Sequence, residues 1–459
     1  MNTISPSADA NLVPPDLAGR FVTPADSDFK QLNTPTYGGI TAVPAGIVRV
    51  SNLNDVVRTV NHARDHNIPL AVRSGGHSIA GHSTIDGGLV LDVRGLTGID
   101  IDVLSKTVWA GTGNTAVALV QALAPHKLVV GFGDAGSVGI SGITLGGGIG
   151  YLTRKYGMTV DAVLAVELVT AAGEVLIADA DHHPELFWAL RGGGGNFGVV
   201  TRIRYRLNPL EHFTGGMMVL PATPDTVAGF VAASQAANEN LSTIANVMAA
   251  PPMPFLPPDA VGKLIIMGLI AYAGPDDEAQ RALAPFRALG KPLADFVKAG
   301  EYHALMFPPE NGDYHPTASS LNLFIDSFGP ETASKIIDHL EHSEAQFRVA
   351  QLRVLGGAAA RVANDATAYA HRDRGLMVNV AAFHDGTDAD RLKKLNWVEA
   401  FARDLNTTDK AAYVNFIGDE GAARVRDAYP GAIWDRLRQV KRRYDPQNLF
   451  RSNQNIPPA

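Results

Sequence analysis

Apolar and polar positions in the first half of the chain switch between helical and strand periods. Residues 44–72 read as a short strand, the helix NDVVRTVNHARDHN and the strand IPLAVR. Val56, Val57, Val60 and Ala63 give that helix one apolar face, and Asn54 is expected to cap it. GLVLDV and TVWAG are further strands, and NTAVALVQALAPH is a helix. DAVLAVELVTAAGEVLIAD reads as a hairpin turning at Ala172-Gly173, and FGVVTRIRYRL as a strand that alternates strictly near its end. This mixed pattern runs to about Pro209.

The middle of the chain changes character. LIIMGLIAYAG, SLNLFID, AQFRVAQLRVL and LMVNVAAF read as long strands, separated by the amphipathic helices DDEAQRALAPFRAL, TASKIIDHLEHSE and ADRLKKLNWVEAFARDL. Such an alternation predicts an α+β unit, a sheet covered by helices on one face. MAAPPMPFLPPD at 248–259 is a proline-rich loop, and YVNF at 413–416 has the pattern of a buried strand. One last helix is expected over 418–443, leading to the polar tail DPQNLFRSNQNIPP. A tail of that composition is expected to return and pack on the body of the protein.

Length, charge and missing residue types narrow the chemistry. With 459 residues, two domains are expected, and 46% hydrophobic content is enough for substantial cores. The net charge of −7 speaks against nucleic acid or an anionic membrane as partner. The KRR run at 441–443 is read as a solvated helix face. Without a cysteine the chain has no disulfide, thiolate metal site or thiol nucleophile. MNTISPSADANLVPPDL lacks the basic-then-apolar pattern of a signal peptide, and no run approaches about eighteen apolar residues. A cytoplasmic enzyme, monomer or homodimer, is the expectation.

Glycine is the unusual component. The 46 glycines cluster in RSGGHS (73–78), GFGDAG (131–136), GISGITLGGGIG (139–150) and RGGGGNFG (191–198), nearly all in the first half. Three segments approach the dinucleotide fingerprint G-x-G-x-x-G. Gly193, Gly195 and Gly198 follow a helix and precede a strand, the reverse of the required order. Gly131, Gly133 and Gly136 lead only into more loop. Gly111, Gly113 and Ala116 do join a strand to a helix, yet no acidic residue ends a following strand where a ribose would sit. RSGGHS is the stronger signal. A strand runs into Arg73-Ser74-Gly75-Gly76-His77-Ser78, where exposed amides can form an anion-binding nest and Arg73 adds charge. His77 and His82 have no third partner nearby, so no metal site is expected.

RSGGHS, VGISGITLGGGIGYLTRKYGMTVD, ELFWALRGGGGNFGVVT and RRYDPQNLFRSNQNIPP, in that order, resemble the berberine-bridge-enzyme-like group of the vanillyl-alcohol oxidase and p-cresol methylhydroxylase superfamily. The resemblance implies a two-part FAD-binding domain (1–209, with 417–459 returning to it) and a substrate-cap domain (210–416). It implies FAD joined through His77 to the benzenoid-ring methyl group. Arg73, Ser74, Gly75, Gly76 and Ser78, with Ser137, Val138, Gly139 and Gly142, would hold the pyrophosphate. Gly146, Gly147, Gly195, Val199 and Val200 would line the rest of the cofactor, with Asn453 and Asn455 closing over the ring. The chain also resembles the hydroxynicotine oxidases, which carry a single flavin link, in overall length and C-terminus.

Departures from the family pattern bear on mechanism. Many relatives carry a second flavin link from a cysteine, and Ala135 stands in its place. A histidine often follows the V-G-x-G-G turn, and here the residue is Ile143. The tyrosine base ending Y-x-N-Y is Phe416. Gln351 and Arg353, two apart on one strand, share a face and are candidate active-site residues, with Asn379 a weaker one. In the family a valine three residues after the cysteine position goes with oxidases, and that residue is Val138. The resemblance therefore implies a small-molecule oxidase using dioxygen. A dehydrogenase with another acceptor and a non-redox flavoprotein cyclase stay open. The absent tyrosine favours a compact, partly apolar amine or aromatic alcohol over a carbohydrate.

Overall fold

The computed structural model describes residues 12–306, 315–406 and 410–459. The first eleven residues, on which much of the signal-peptide expectation rests, lie outside these. Strands Gly46–Arg49 and Leu70–Arg73 flank Leu89–Asp92 in parallel, and Phe21–Val22 pairs antiparallel with the outer edge. Between the first two strands runs the helix Leu53–Asp65. Its cap is Asn52, whose side chain accepts from the Asp55 amide at 3.0 Å, rather than Asn54, which lies in the first turn. Val56, Val60 and Ala63 pack on Val48, Leu89 and Leu91, and the same cluster takes in Val169, Val199 and Phe450. The helix face thus joins this small sheet to a neighbouring one and to the chain's tail.

That neighbouring sheet is antiparallel, with the order Ile99–Asp102, Thr107–Gly111, Val199–Arg206, Val163–Val169, Val175–Asp179. Its last two strands are the hairpin read from the sequence. The middle of the chain forms a larger antiparallel sheet in which Thr214–Pro221, Leu264–Tyr272, Leu241–Ala249, Arg348–Val354, Leu376–Phe383 and Ala318–Ile325 lie side by side. Helices Pro224–Ala236, Asp276–Arg287, Pro330–Glu341 and Asp388–Leu405 cover one face. Ala350, Leu352, Val378, Val380 and Ala382 point into that helical layer. By the two-residue period of a strand, Gln351, Arg353, Asn379 and Ala381 point to the other face.

Several expectations need correction. The strands Thr214–Pro221 and Leu241–Ala249 and the helix Pro224–Ala236 carry no clear period. Residues 241–248 are buried on both faces, so they do not alternate. The last helix is two, Gly421–Asp427 and Ala432–Tyr444, broken at Pro430-Gly431, where Gly431 has φ +57°. YVNF is no strand, since Val414–Phe416 forms a single 3-10 turn. Lys441, read as part of a solvated face, is fully buried in an ion pair with Asp445 (2.7 Å). Among the described residues, no helix is long and apolar enough to cross a membrane.

Candidate functional site

A cavity of about 1050 Å³ separates the glycine-rich loops from the uncovered face of the large sheet. One wall begins where the strand Leu70–Arg73 ends. Gly76 turns there with φ +73°, a conformation that favours glycine. The 74–78 loop packs backbone to backbone on the 137–142 loop, and a Cβ on Gly75 would lie 2.1 Å from the Gly139 nitrogen. Ser74, Gly75, Gly76, His77 and Ser78 line the cavity together with Ser137, Val138, Gly139 and Gly142. His77 Nε2 lies 3.0 Å from Ser137 Oγ, and the ring also interacts with the Ser137 backbone. Burial pushes the imidazole below its usual pKa, against a smaller opposing pull from Asp134. The ring is accordingly neutral at neutral pH.

Arg73 does not reach this wall. Its guanidinium turns behind the loop and donates to the carbonyls of Asn33 (2.9 Å) and Thr34. Burial lowers its pKa to about 10. It braces the loop from the back, where the sequence suggested a cavity charge. The Gly111-Gly113-Ala116 turn is also no phosphate site. The amides of Ala116 and Val117, at the start of their helix, donate to Val138 and Gly136 carbonyls at 2.9 Å each. That helix end is used to hold the 136–139 loop.

Gly194, Gly195, Asn196 and Val200 continue the wall, whereas Val199 points into the core behind it. The loop is tied to the tail through Asn196, which sequence reasoning missed. Asn196 Nδ2 donates to Gln454 O (3.1 Å), and its Oδ1 accepts from the Ile456 amide (2.9 Å). Lys441 Nζ donates to Asn196 O (2.8 Å) and Phe450 O (2.9 Å), fastening both pieces from within. Ser452, Asn453 and Gln454 line the cavity, while Asn455 does not. Gly146 and Gly147 lie behind the wall. A Cβ on Gly146 would sit 2.0 Å from Asn415 Oδ1, so this glycine admits the 413–416 turn rather than a ligand.

The opposite wall is made of side chains. Val349, Gln351, Arg353, Asn379, Ala381 and Phe383 face the cavity from the sheet, and Phe416 joins them from its turn. Arg353 is nearly solvent-free. Its Nε donates to Gln351 Oε1 (2.9 Å), its Nη2 to Asp134 Oδ2 (2.8 Å), and its guanidinium carbon lies 5.1 Å from the Phe416 ring centre. Gln351 Nε2 in turn donates to Asn246 Oδ1 (2.9 Å). Asp134 went unnoticed in the sequence because it sits inside the glycine cluster GFGDAG. Ala135 and Ile143, which with Phe416 are the three departures from the family pattern, also line the cavity. Among the described residues, no three metal-ligating side chains gather.

Comparison with known proteins agrees with this geometry. The family described as "FAD binding domain" matches residues 44–179, and that described as "Berberine and berberine like" matches 412–457. An uncharacterised FAD-linked oxidoreductase of Bacillus subtilis (strain 168) is 30% identical over 96% of this chain and 97% of its own. The chain belongs to the berberine-bridge-enzyme-like FAD-linked oxidoreductases. (R)-6-hydroxynicotine oxidase of Paenarthrobacter nicotinovorans, another relative, is 30% identical over 97% of this chain and 98% of its own. The crystal structure of 6-hydroxy-D-nicotine oxidase from Arthrobacter nicotinovorans superposes with a TM-score of 0.87 at 28% identity, covering 97% and 99% of the two chains. A chitooligosaccharide oxidase shares the fold at 20% identity (TM-score 0.84, 98% of each chain).

The architecture is thus the α+β flavoprotein fold of the vanillyl-alcohol oxidase and p-cresol methylhydroxylase type, and the protein is an FAD-dependent oxidoreductase. The residues present suit that cofactor. Gly142 and Gly195 line the cavity, and a Cβ on either would meet no protein atom within 4 Å, so both keep space clear beside peptide groups. Asn453 Oδ1 is buried in the same wall without a hydrogen-bond partner. The volume lies just above the roughly 300–1,000 Å³ usual for ligand sites.

Proposed function

We propose that this protein is an oxidase that removes a hydride from a C–H bond next to nitrogen or oxygen in a small organic substrate, with dioxygen as final acceptor and hydrogen peroxide as product. The single observation that carries the reading is His77. A neutral imidazole stands in the cavity wall, steered by Ser137. That is the form a histidine needs to bond a flavin methyl group. FAD, linked once, supplies the hydride acceptor. Residues 1–209 with 417–459 hold it, and 210–416 cap it. Ser74–Ser78 and Ser137–Gly142 receive the pyrophosphate, and Gly195, Val200 and Asn453 lie along the rest. Arg73 acts from behind, by fixing the loop.

The substrate meets the sheet wall. Phe416, Val349, Ala381 and Phe383 offer apolar contact, and Gln351, Asn379 and Arg353 offer polar groups. No tyrosine base ends the 413–416 turn. Tyr413 Oη cannot replace it, since it is buried and already accepts from the Gly148 amide and Asn415 Nδ2, both at 2.9 Å. A compact amine or aromatic alcohol fits this wall better than a sugar. An amine can lose hydride as the neutral base, whereas an alcohol needs a base to take its hydroxyl proton. Val138, in the wall beside Ser137, is the residue past which dioxygen reaches the cofactor. The test is to mix the yellow protein anaerobically with arylalkylamines and aromatic alcohols, then admit air. Bleaching followed by one peroxide per turnover is the expected result. Bleaching without peroxide on aeration would point to a dehydrogenase, and no bleaching with any amine, alcohol or sugar would refute a redox role.

A further inference from the structure

Among the described residues, the cavity wall contains one carboxylate, Asp134, and one guanidinium, Arg353. The pair joins elements far apart in the chain, the glycine-rich 131–136 loop and the strand Arg348–Val354. Arg353 is held on several sides, by Gln351 at Nε, by Asp134 at Nη2 and by the Phe416 ring over its face. Asp134 is held on one. Its Oδ2 accepts from Arg353, and its Oδ1 takes no hydrogen bond from the described residues. The Asp134 side chain is 21% exposed against 4% for Arg353, so the free oxygen belongs to the more accessible partner. Asp134 directly precedes Ala135 and lies close enough to His77 to oppose the fall in that imidazole's pKa. A ligand on Oδ1 would therefore lie near the point where the cofactor is attached.

We propose that Asp134 anchors a protonated amine of the substrate through Oδ1, which deepens the oxidase reading above by selecting amines over alcohols. A carboxylate with one oxygen fixed and one open is a ready acceptor for an N–H donor, and a cationic donor makes the stronger bond. Arg353 sets the angle of the carboxylate and repels a cation approaching from its own side, so the amine takes the oxygen that Arg353 leaves free. Catalysis then needs the neutral amine. The ammonium proton passes to Oδ1, and bound FAD would then supply the acceptor for the hydride as the nitrogen lone pair closes the C=N bond of the iminium product. Asp134 afterwards returns the proton to solvent.

A purely structural latch between loop and sheet would use the same ion pair, and two variants with opposite expected signs separate the roles. Holoenzyme is titrated anaerobically with benzylamine, N-methylbenzylamine, 2-phenylpyrrolidine and the neutral analogue benzyl alcohol, and binding is read from the flavin absorbance. Asp134→Asn keeps an acceptor for Arg353 and should weaken amine binding at least tenfold, with benzyl alcohol changed less than twofold. Arg353→Gln removes the competing cation and should tighten amine binding. Thermal midpoints recorded in parallel report any general loss of structure. If both variants weaken all four ligands alike, or if the unaltered protein binds none of the amines, the anchor does not exist. Amine binding that follows the expected pattern without peroxide release would leave the anchor intact and refute only the oxidase reading.

Discussion

On the glycine-loop side of the cavity the wall is backbone. The 74–78 and 137–142 loops meet at distances only glycine allows, with a would-be Cβ of Gly139 lying 2.1 Å from Ser74 Oγ and 2.3 Å from the Gly75 nitrogen. On the sheet side the wall is a row of side chains on alternate residues, Val349, Gln351, Arg353, Asn379 and Ala381. At Gly75 and Gly139 the first surface cannot take a side chain without moving the facing loop. The second can exchange each side chain while the opposite face of the same strands stays packed on the helices.

The sharpest way to break the rigid wall is from beneath. Lys441 and Asp445 are both fully buried, and Lys441 also donates to Asn196 and Phe450, tying the 191–198 loop to the tail. Removing one partner of a buried pair typically costs about 3–5 kcal/mol, because the other charge is left uncompensated. Lys441→Met is expected to lose that much in urea denaturation of the holoenzyme, with flavin content falling in step. A loss below about 1 kcal/mol would show that the clasp does not hold the wall. Gly139→Ala comes next. Its Cβ meets backbone that cannot yield, an overpacking cost of about 1–3 kcal/mol, and FAD occupancy after purification should fall. Asn379→Ala, across the cavity, should leave occupancy unchanged and alter only KM.

How much of this was legible follows the same division. The backbone wall was readable because it requires glycine, and RSGGHS, GISGITLGGGIG and RGGGGNFG announce it in the sequence. Even there the reading was approximate. Arg73 serves the loop from behind, Gly146 makes room for Asn415, and Val199 faces the core, because a motif gives residue types without directions. The sheet wall was half readable. The two-residue period placed Gln351 and Arg353 on one face, but nothing local could pair Arg353 with Asp134, 219 positions away. The KRR run misled for the same reason. Lys441 is satisfied by the carbonyls of Asn196 and Phe450 as well as by Asp445, and partners outside its own helix leave no local signal. Strands such as Leu241–Ala249, buried on both faces, lack the alternation that would have revealed them.

Smaller effects sharpen the comparison at the reacting end of the cavity. Val138→Leu adds one methylene to the wall beside Ser137. Stopped-flow mixing of reduced enzyme with dioxygen should show slower reoxidation, with flavin reduction unaffected. Equal reoxidation rates would remove Val138 from the account. Phe416→Tyr is expected to change least. Oxidation of amines should stay within about twofold, while aromatic alcohols gain, since a new hydroxyl there supplies the proton acceptor they need. A large loss with amines would mean that the ring's contact with Arg353, rather than its apolar surface, is what matters.

A single covalent link from His77 to the flavin, as proposed, can be read by acid precipitation of the purified protein, proteolysis of the pellet, and mass measurement of the peptide containing His77. A yellow pellet and a peptide carrying the mass of one flavin are expected. A colourless pellet with all FAD in the supernatant would contradict it.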